Sequence, residues 1–108
     1  MGQFTVVTRG KDAIFQLSGA LGLEETAALR PVFWETMQET EAERIIVDLK
    51  AVSRLDASMI SLFVATKNGL TKRRRRLILC GMKREIFQVF EQTNLNAYFD
   101  IRKEMPAD

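Results

Sequence analysis

A predicted strand turns into a predicted helix within the segment Val47-Asp48-Leu49-Lys50-Ala51-Val52-Ser53-Arg54-Leu55-Asp56-Ala57-Ser58-Met59-Ile60. The apolar run at residues 44–49 is rich in β-branched residues, which is typical of a strand buried on both faces. Asp56 is the predicted N-cap, because its carboxylate can accept hydrogen bonds from the free N–H groups two and three residues on. Ser58 then lies in the first helical turn, so a hydroxyl is placed at the positive end of a helix.

Composition indicates an ordinary globular protein. The chain has 108 residues, of which 46% are hydrophobic and 28% charged, and this length suits one domain spanning residues 1–108. With 16 basic and 14 acidic residues the net charge of +2 is too small to indicate direct nucleic-acid binding. We expect a monomer or a weak dimer.

The sequence predicts a cytoplasmic protein without a membrane span. No segment approaches the roughly 20 apolar residues that a span needs, and the N-terminus lacks the pattern of a signal peptide. Cys80 is the only cysteine and lies in an apolar run, so we expect a buried, reduced thiol, which fits a cytosolic environment.

Hydrophobic periodicity along the rest of the chain predicts the order β-β-α-β-α-β-α-β. The predicted strands are residues 3–8, 13–17, 44–49, 77–80 and 98–101, and the predicted helices are residues 23–39, 57–72 and 83–94. Residues 18–22 are predicted to be a loop and residues 102–108 an irregular tail. Pro31 is expected to kink or break the first helix. Strands separated by crossover helices imply an α/β fold with a mixed, partly parallel sheet, or a mixed sandwich.

Two surface features leave alternatives open. Trp34 is interpreted as the edge of the core or, alternatively, as a contact residue. The run Lys72-Arg73-Arg74-Arg75-Arg76 is interpreted as a solvated helix end. Its alternatives are a docking patch for an acidic partner and attraction to anionic lipid or nucleic acid.

The side-chain chemistry predicts a binding protein, with no catalytic residues, cofactor or metal. The chain has no histidine, which excludes histidine triads and the common zinc sites. Gly19 and Gly22 do not form a phosphate-binding fingerprint. Glutamates are predicted to be a solvated set; they are Glu24, Glu25, Glu35, Glu39, Glu41 and Glu43. Asp56 and Ser58 are not a nucleophile pair, because the aspartate is expected to act as a cap.

The turn at Asp56 resembles that of the STAS domain, the sulfate-transporter and anti-sigma-factor-antagonist superfamily, and in particular its small bacterial anti-sigma factor antagonists. Besides the opening hairpin and the first helix, the resemblance is carried by Ile45-Ile46-Val47-Asp48-Leu49, Leu55-Asp56-Ala57-Ser58, Leu77-Ile78-Leu79-Cys80-Gly81 and Val89-Phe90-Glu91-Gln92-Thr93-Asn94-Leu95. It implies a single STAS domain, with a mostly parallel sheet of four to five strands and helices packed against it.

The resemblance also implies a phosphorylation site and the residues around it that bind a partner. In the family the turn reads Asp-Ser-Ser/Thr-Gly, and its second hydroxyl is phosphorylated by an anti-sigma factor that is itself a serine kinase. Aligned on Asp56, that hydroxyl is Ser58, although residue chemistry alone makes Ser58 simply a good first-turn residue. Ala57 replaces the first hydroxyl, and Met59 replaces the glycine and is expected to present an apolar side chain to the partner. The implied partner-binding residues are Asp56, Ala57, Ser58 and Met59.

The implied function is regulation of transcription by partner switching in bacterial signal transduction. The unphosphorylated chain is expected to bind the anti-sigma factor kinase, and phosphorylation of Ser58 is expected to release it. The alternative is a constitutive STAS accessory subunit of a membrane lipid-transport ATPase, which the basic run at residues 72–76 could face. Weak nucleotide hydrolysis is a third hypothesis, which the lack of a phosphate loop disfavours.

Overall fold

The described residues form a five-stranded mixed sheet and three helices. The computed structural model describes residues 1–39 and 41–108. Over these residues the order is β-β-α-β-α-β-α-β, which confirms the predicted α/β fold class. The elements are β1 (Gln3–Arg9), β2 (Asp12–Leu21), α1 (Leu23–Glu39), β3 (Arg44–Leu55), α2 (Ala57–Lys72), β4 (Arg76–Cys80), α3 (Arg84–Gln92) and β5 (Asp100–Arg102).

The sheet follows the order of the chain. Its strands lie in the order β1-β2-β3-β4-β5, with β1 antiparallel to β2, as the predicted hairpin requires, and the other neighbours parallel. Each parallel pair is joined by one helix, as a crossover connection demands. The carboxyl ends of β2 and β3 therefore meet at one edge of the sheet, where α1 and α2 begin.

The core lies between the sheet and the first two helices. Phe15, Val47 and Leu79 occupy one register row across β2, β3 and β4, and each is fully buried. The ring of Phe15 lies 4.6 Å from that of Phe33 in α1, which in turn lies 6.3 Å from Phe63 in α2. Burying such side chains stabilises the fold by about 1.5 to 3 kcal/mol each. These contacts fix both helices against the sheet.

The strand β2 is longer than predicted. Residues 18–21, expected to be a loop, continue the strand and pair with β3, which itself extends to Leu55 rather than ending at Leu49. The pairing contains two register irregularities, after Gln16 and after Gly19, and Gly19 has a φ of +77° that suits glycine. The prediction of a loop was wrong because pairing with a neighbouring strand compensates for weak local strand propensity.

Helix α1 runs through Pro31 as one element, so of the two predicted outcomes, a kink or a break, the break does not occur. Pro31 is exposed, while Leu29, Phe33 and Met37 are buried against the core. Their packing outweighs the lost backbone hydrogen bond.

The last elements are shorter than predicted. Helix α3 begins at Arg84 rather than residue 83 and ends at Gln92 rather than residue 94. Asn94 then adopts a φ of +60°, which is not helical. Strand β5 begins at Asp100 instead of residue 98, because a turn at residues 96–98 and a bend at residue 99 precede it.

The C-terminal segment has no regular secondary structure from residue 103 onward, as predicted, but it is docked against the rest of the molecule. Pro106 is buried, its carbonyl oxygen accepts a hydrogen bond from Arg9 at 2.7 Å, and the carbonyl oxygen of Ala107 accepts one from Arg44 at 2.7 Å. Both guanidinium groups also bond the carboxylate of Asp12, which is 3% exposed. This ion network joins the hairpin, β3 and the tail.

Candidate functional site

The candidate site lies where β3 ends and α2 begins. Leu21 and Leu55 are paired at the ends of β2 and β3, and the N–H of Asp56 donates to the carbonyl oxygen of Leu21 at 2.9 Å. Asp56 is the N-cap of α2 and has an extended backbone, with φ −85° and ψ 157°. The sheet therefore fixes the residue before the helix, and Ser58 lies in the first turn as predicted.

The carboxylate of Asp56 does not cap the helix, which corrects the prediction. It makes no side-chain cap hydrogen bond and instead accepts a hydrogen bond from the Ser58 hydroxyl at 2.9 Å. The backbone carbonyl of Asp56 accepts the N–H groups of Met59 and Ile60. The carboxylate thus binds the serine hydroxyl, and only the backbone carbonyl of Asp56 bonds the first N–H groups of the helix.

Ser58 is half-buried and has a second neighbour. Its Oγ lies 3.1 Å from the Oγ1 of Thr26, a 1% exposed residue of α1 whose hydroxyl also donates to the carbonyl oxygen of Gly22 at 2.9 Å. The hydroxyls of Ser58 and Thr26 carry one proton each, so they can form only two of these three hydrogen bonds at once. When Ser58 donates to Asp56 and Thr26 donates to Gly22, both protons are used, and a Ser58–Thr26 hydrogen bond forms only if one hydroxyl turns its proton to the other.

A second carboxylate lies beside this turn. Glu25 accepts hydrogen bonds from the N–H of Gly22 at 2.9 Å and from that of Gly2 at 3.4 Å. These donors, Gly22 above all, lower the pKa of Glu25 below its usual range. Glu25, Asp56 and Arg54 line a surface cavity of about 370 Å³ next to the start of α2. This cavity beside the N-cap of α2 is thus bordered by two acidic side chains and one basic side chain.

The other two predicted contact residues differ in exposure. Ala57 is exposed, whereas the side chain of Met59 is fully buried. The expectation that Met59 presents its side chain to a partner is therefore wrong. Met59 shares its buried helix face with Phe63, Thr66 and Leu70, at the helical spacing of four, seven and eleven residues. Met59 as a whole residue is 0% exposed, so it offers no surface to a partner at this turn.

Sequence reasoning missed Thr26. It contacts Ser58 across 32 residues of chain, and the signal that could have suggested it is the position of each hydroxyl in the first turn of its helix. Glu24, Glu35, Glu41 and Glu43 are exposed, as predicted for a solvated set, and Glu25 is half-buried. The side chain of Glu39 lies outside the described residues.

Metal-binding clusters and membrane-spanning helices are absent from the described part of the chain. It contains no group of three or more cysteine, aspartate or glutamate side chains that could hold a metal ion. In the same residues, every helix is too short or too polar to cross a membrane. Cys80 is 1% exposed, as predicted, and burial, helped by the negative charge of Asp48, raises its pKa to about 11.

Comparison with known proteins supports one family. The STAS domain model matches residues 3–106. Over 68 residues the chain is 31% identical to the anti-sigma-B factor antagonist of Listeria monocytogenes, a match that covers 63% of this chain and 60% of that protein. The matched part of the chain thus spans less than two thirds of this relative's length.

Solved structures share the fold. An anti-sigma factor antagonist from Mycobacterium paratuberculosis has a TM-score of 0.86 at 16% identity, covering 97% of this chain and 88% of that one. The Bacillus cell fate determinant SpoIIAA in its phosphorylated form has a TM-score of 0.76 at 18% identity, covering 94% and 93%. Since the family model spans nearly all of the sequence and the fold agrees, the chain belongs to the STAS domain family.

Proposed function

We propose that this protein is an anti-sigma factor antagonist in a bacterial partner-switching pathway. Its unphosphorylated form binds an anti-sigma factor with serine-kinase activity, and phosphorylation of Ser58 ends that binding. Membership of the STAS family and the name of the Listeria relative support the class. The observation that carries the proposal is the half-buried Ser58 hydroxyl at the start of α2, hydrogen-bonded to the Asp56 carboxylate.

The hydroxyl geometry suits an acceptor of a phosphoryl group. When Ser58 donates its proton to Asp56, the lone pairs of Oγ are free to attack the γ-phosphorus of ATP held by the kinase. The new bond joins Oγ to phosphorus, the bond to the β-phosphate oxygen breaks, ADP leaves, and the Oγ proton passes to a base or to water. Asp56 thereby positions the acceptor, while the kinase supplies the nucleotide and the metal.

Phosphorylation at this place is expected to spare the fold. The phosphate adds about −1.5 to −2 charges, which the N-terminus of α2 accommodates through its free N–H groups and its dipole. At a protein interface the same group must lose water beside the Asp56 carboxylate. A loss of only about 2.7 kcal/mol weakens binding a hundredfold, which is enough to release a partner.

A phosphorylation assay tests the site. The protein is incubated with ATP and each purified anti-sigma factor kinase of its own organism, and its mass is measured. We expect one added phosphate on the wild type, none on Ser58→Ala, and one on Ser61→Ala, since Ser61 is an exposed serine one turn further along α2. A mass change that persists in Ser58→Ala would contradict the proposed acceptor.

A binding measurement tests the switch. Isothermal titration with the same kinase should give an affinity at least about a hundredfold lower for the phosphorylated protein than for the unphosphorylated one. Equal affinities would show that phosphorylation does not control docking. If none of the kinases binds or phosphorylates the protein, the proposed function is wrong.

The exposed cations at the end of α2 favour a second candidate, an accessory subunit of a membrane lipid-transport ATPase. Lys72, Arg73, Arg74 and Arg76 are exposed, although Arg73 also donates to the carbonyl of Gly69 at 3.0 Å. In that case Ser58→Glu should leave the assembly intact, and affinity purification should return an ATPase instead of a soluble kinase.

A further inference from the structure

We propose that a groove between α1 and α2 binds an acidic amphipathic helix of the partner that docks at Ser58. The groove has a volume of about 410 Å³, and most of its lining is apolar. Phe33, Met37 and Leu62 lie at its base, while Ala65 and Gly69 leave space along α2. The inference rests on the proposed function for the class of partner and adds where that partner binds.

Trp34 forms one wall of the groove. Its side chain is 57% exposed, and it is the only tryptophan in the sequence. An indole exposed at the edge of an apolar cavity is the kind of side chain that dominates protein interfaces, because it buries a large area with little loss of conformational freedom. This exposure favours the alternative interpretation of Trp34 as a contact residue.

The groove continues from the Ser58 site. Helices α1 and α2 run in the same direction, since Thr26 contacts Ser58 at their first turns and Met37 lies against Gly69 near their last turns. Arg30 and Leu62, which line the groove, are one helical turn beyond Thr26 and Ser58. A single partner surface can therefore cover the hydroxyl and the groove together.

The exposed side of α1 has the spacing that a helix recognises. Leu23, Ala27, Arg30 and Trp34 are separated by four, three and four residues, and all are exposed. Such residues form one ridge on a helix, which here extends about 16 Å. A partner helix of about three turns matches this length and could pack between the ridge and α2.

Charge favours an acidic occupant. Arg30 lines the groove, and the guanidinium of Arg73 lies 5.9 Å from the centre of the Trp34 ring, where its hydrogen bond to the Gly69 carbonyl holds it. Glu24 and Glu35 are about 80 to 100° away from Trp34 around the axis of α1, so their carboxylates do not line the groove. Carboxylates beside the apolar face of the partner helix would meet these two arginines, which favours association and register.

Fluorine NMR tests the groove directly. Incorporation of 5-fluorotryptophan gives a single resonance, because Trp34 is the only tryptophan. We expect this resonance to shift when the anti-sigma factor kinase identified by the phosphorylation assay is added. Trp34→Ala should weaken binding at least about 30-fold. Arg30→Glu should weaken it about tenfold at low salt and less at high salt.

Two further variants separate loss of binding in the groove from loss of stability and from a general change of charge. Ala65→Gln fills the groove from an exposed position without removing a core contact, and it should weaken binding even if Trp34→Ala lowers stability. Lys103→Glu makes the same charge change as Arg30→Glu at an exposed position in the tail, and it should leave binding unchanged.

The outcomes separate the two proposals. Kinase binding that leaves the resonance unmoved and is insensitive to Trp34→Ala and Ala65→Gln would overturn the groove and leave the proposed function standing. A resonance that shifts with protein concentration alone would assign the groove to a second copy of the chain. A resonance that shifts only with anionic lipid vesicles would assign the groove to a membrane. Either result would also overturn the proposed binding of a partner helix in the groove. Failure of every kinase to bind would overturn both.

Discussion

The Ser58 hydroxyl lies between a charged and a neutral neighbour, and the proposed phosphorylation would change its contact with each of them differently. As a free hydroxyl it can donate to the Asp56 carboxylate at 2.9 Å or share a proton with Thr26 at 3.1 Å. As a phosphate ester its Oγ has no proton, so Thr26 becomes the donor and Asp56 faces a like charge. The favourable contact with Asp56 thus becomes a repulsive one.

Asp56→Asn measures this repulsion. Asparagine keeps an acceptor for Ser58, so the unphosphorylated variant should match the wild type within about 0.5 kcal/mol of unfolding free energy. The phosphorylated variant should be more stable than the phosphorylated wild type by about 1 kcal/mol, since one of two like charges about 4 Å apart in water is removed. Urea unfolding of both forms checks it, and an equal difference with and without phosphate would contradict it.

At this scale the sequence predicted positions better than contacts. The N-cap and the first-turn place of Ser58 follow from local spacing, which is a short-range property. The bond between Ser58 and Thr26 depends on how two helices pack, so local spacing could not supply it. The spacing of Met59 to Phe63 and Thr66 indicates a buried position, whereas the family glycine at this point of the turn indicates a surface contact, and the spacing is the correct signal.

Among the elements, α1 shows packing prevailing over intrinsic propensity. Pro31 cannot donate to the carbonyl of Ala27, and a proline inside a helix costs about 3 kcal/mol relative to alanine. The helix nevertheless continues through it, because buried side chains on both sides of Pro31 anchor it to the core.

Pro31→Ala should therefore stabilise the protein. We expect a gain of about 1 to 2 kcal/mol, since the restored hydrogen bond is partly offset by greater freedom of the unfolded chain. Pro31 is exposed, so an alanine there leaves no cavity. The midpoint of urea unfolding should rise without a change in slope. A lower midpoint would show that the proline is needed for the geometry of α1.

The strands show that local sequence does not determine the full length of a strand. The apolar runs located β3 and β4, but the second half of β2 contains Ser18, Gly19 and Ala20, which have little local preference for a strand. Their structure comes from pairing with β3, and β3 in turn extends because β2 is there. Such mutual dependence is not visible in either segment alone.

Across the whole molecule, the Asp12 network connects distant parts of the chain. Hydrogen bonds from Arg44 first, and then from Arg9, lower the pKa of Asp12 from 3.8 to about 2. A lowered carboxyl pKa stabilises the folded state above the unfolded-state value, and this contribution is lost as the pH falls from about 4 to 2. The network therefore contributes fully at neutral pH.

Asp12→Asn tests that contribution. The variant should be less stable than the wild type by about 2 kcal/mol at pH 7, and the difference should shrink as the pH approaches 2. Urea unfolding across this range gives the comparison. Asp100→Asn is the control, because the Arg102–Asp100 pair has side chains 39% and 43% exposed and should contribute less than about 1 kcal/mol. A difference that does not depend on pH would contradict the assignment.

The docked tail places the two ends of β3 in different surroundings. Ala107 is held at Arg44, where β3 starts, while Ser58 follows its far end, and the longest dimension of the molecule is 33 Å. A fluorophore coupled at position 108 would therefore sit at the pole opposite the serine. Energy transfer from that dye to a labelled sample of the proposed kinase partner could then follow binding and release in real time without obstructing either.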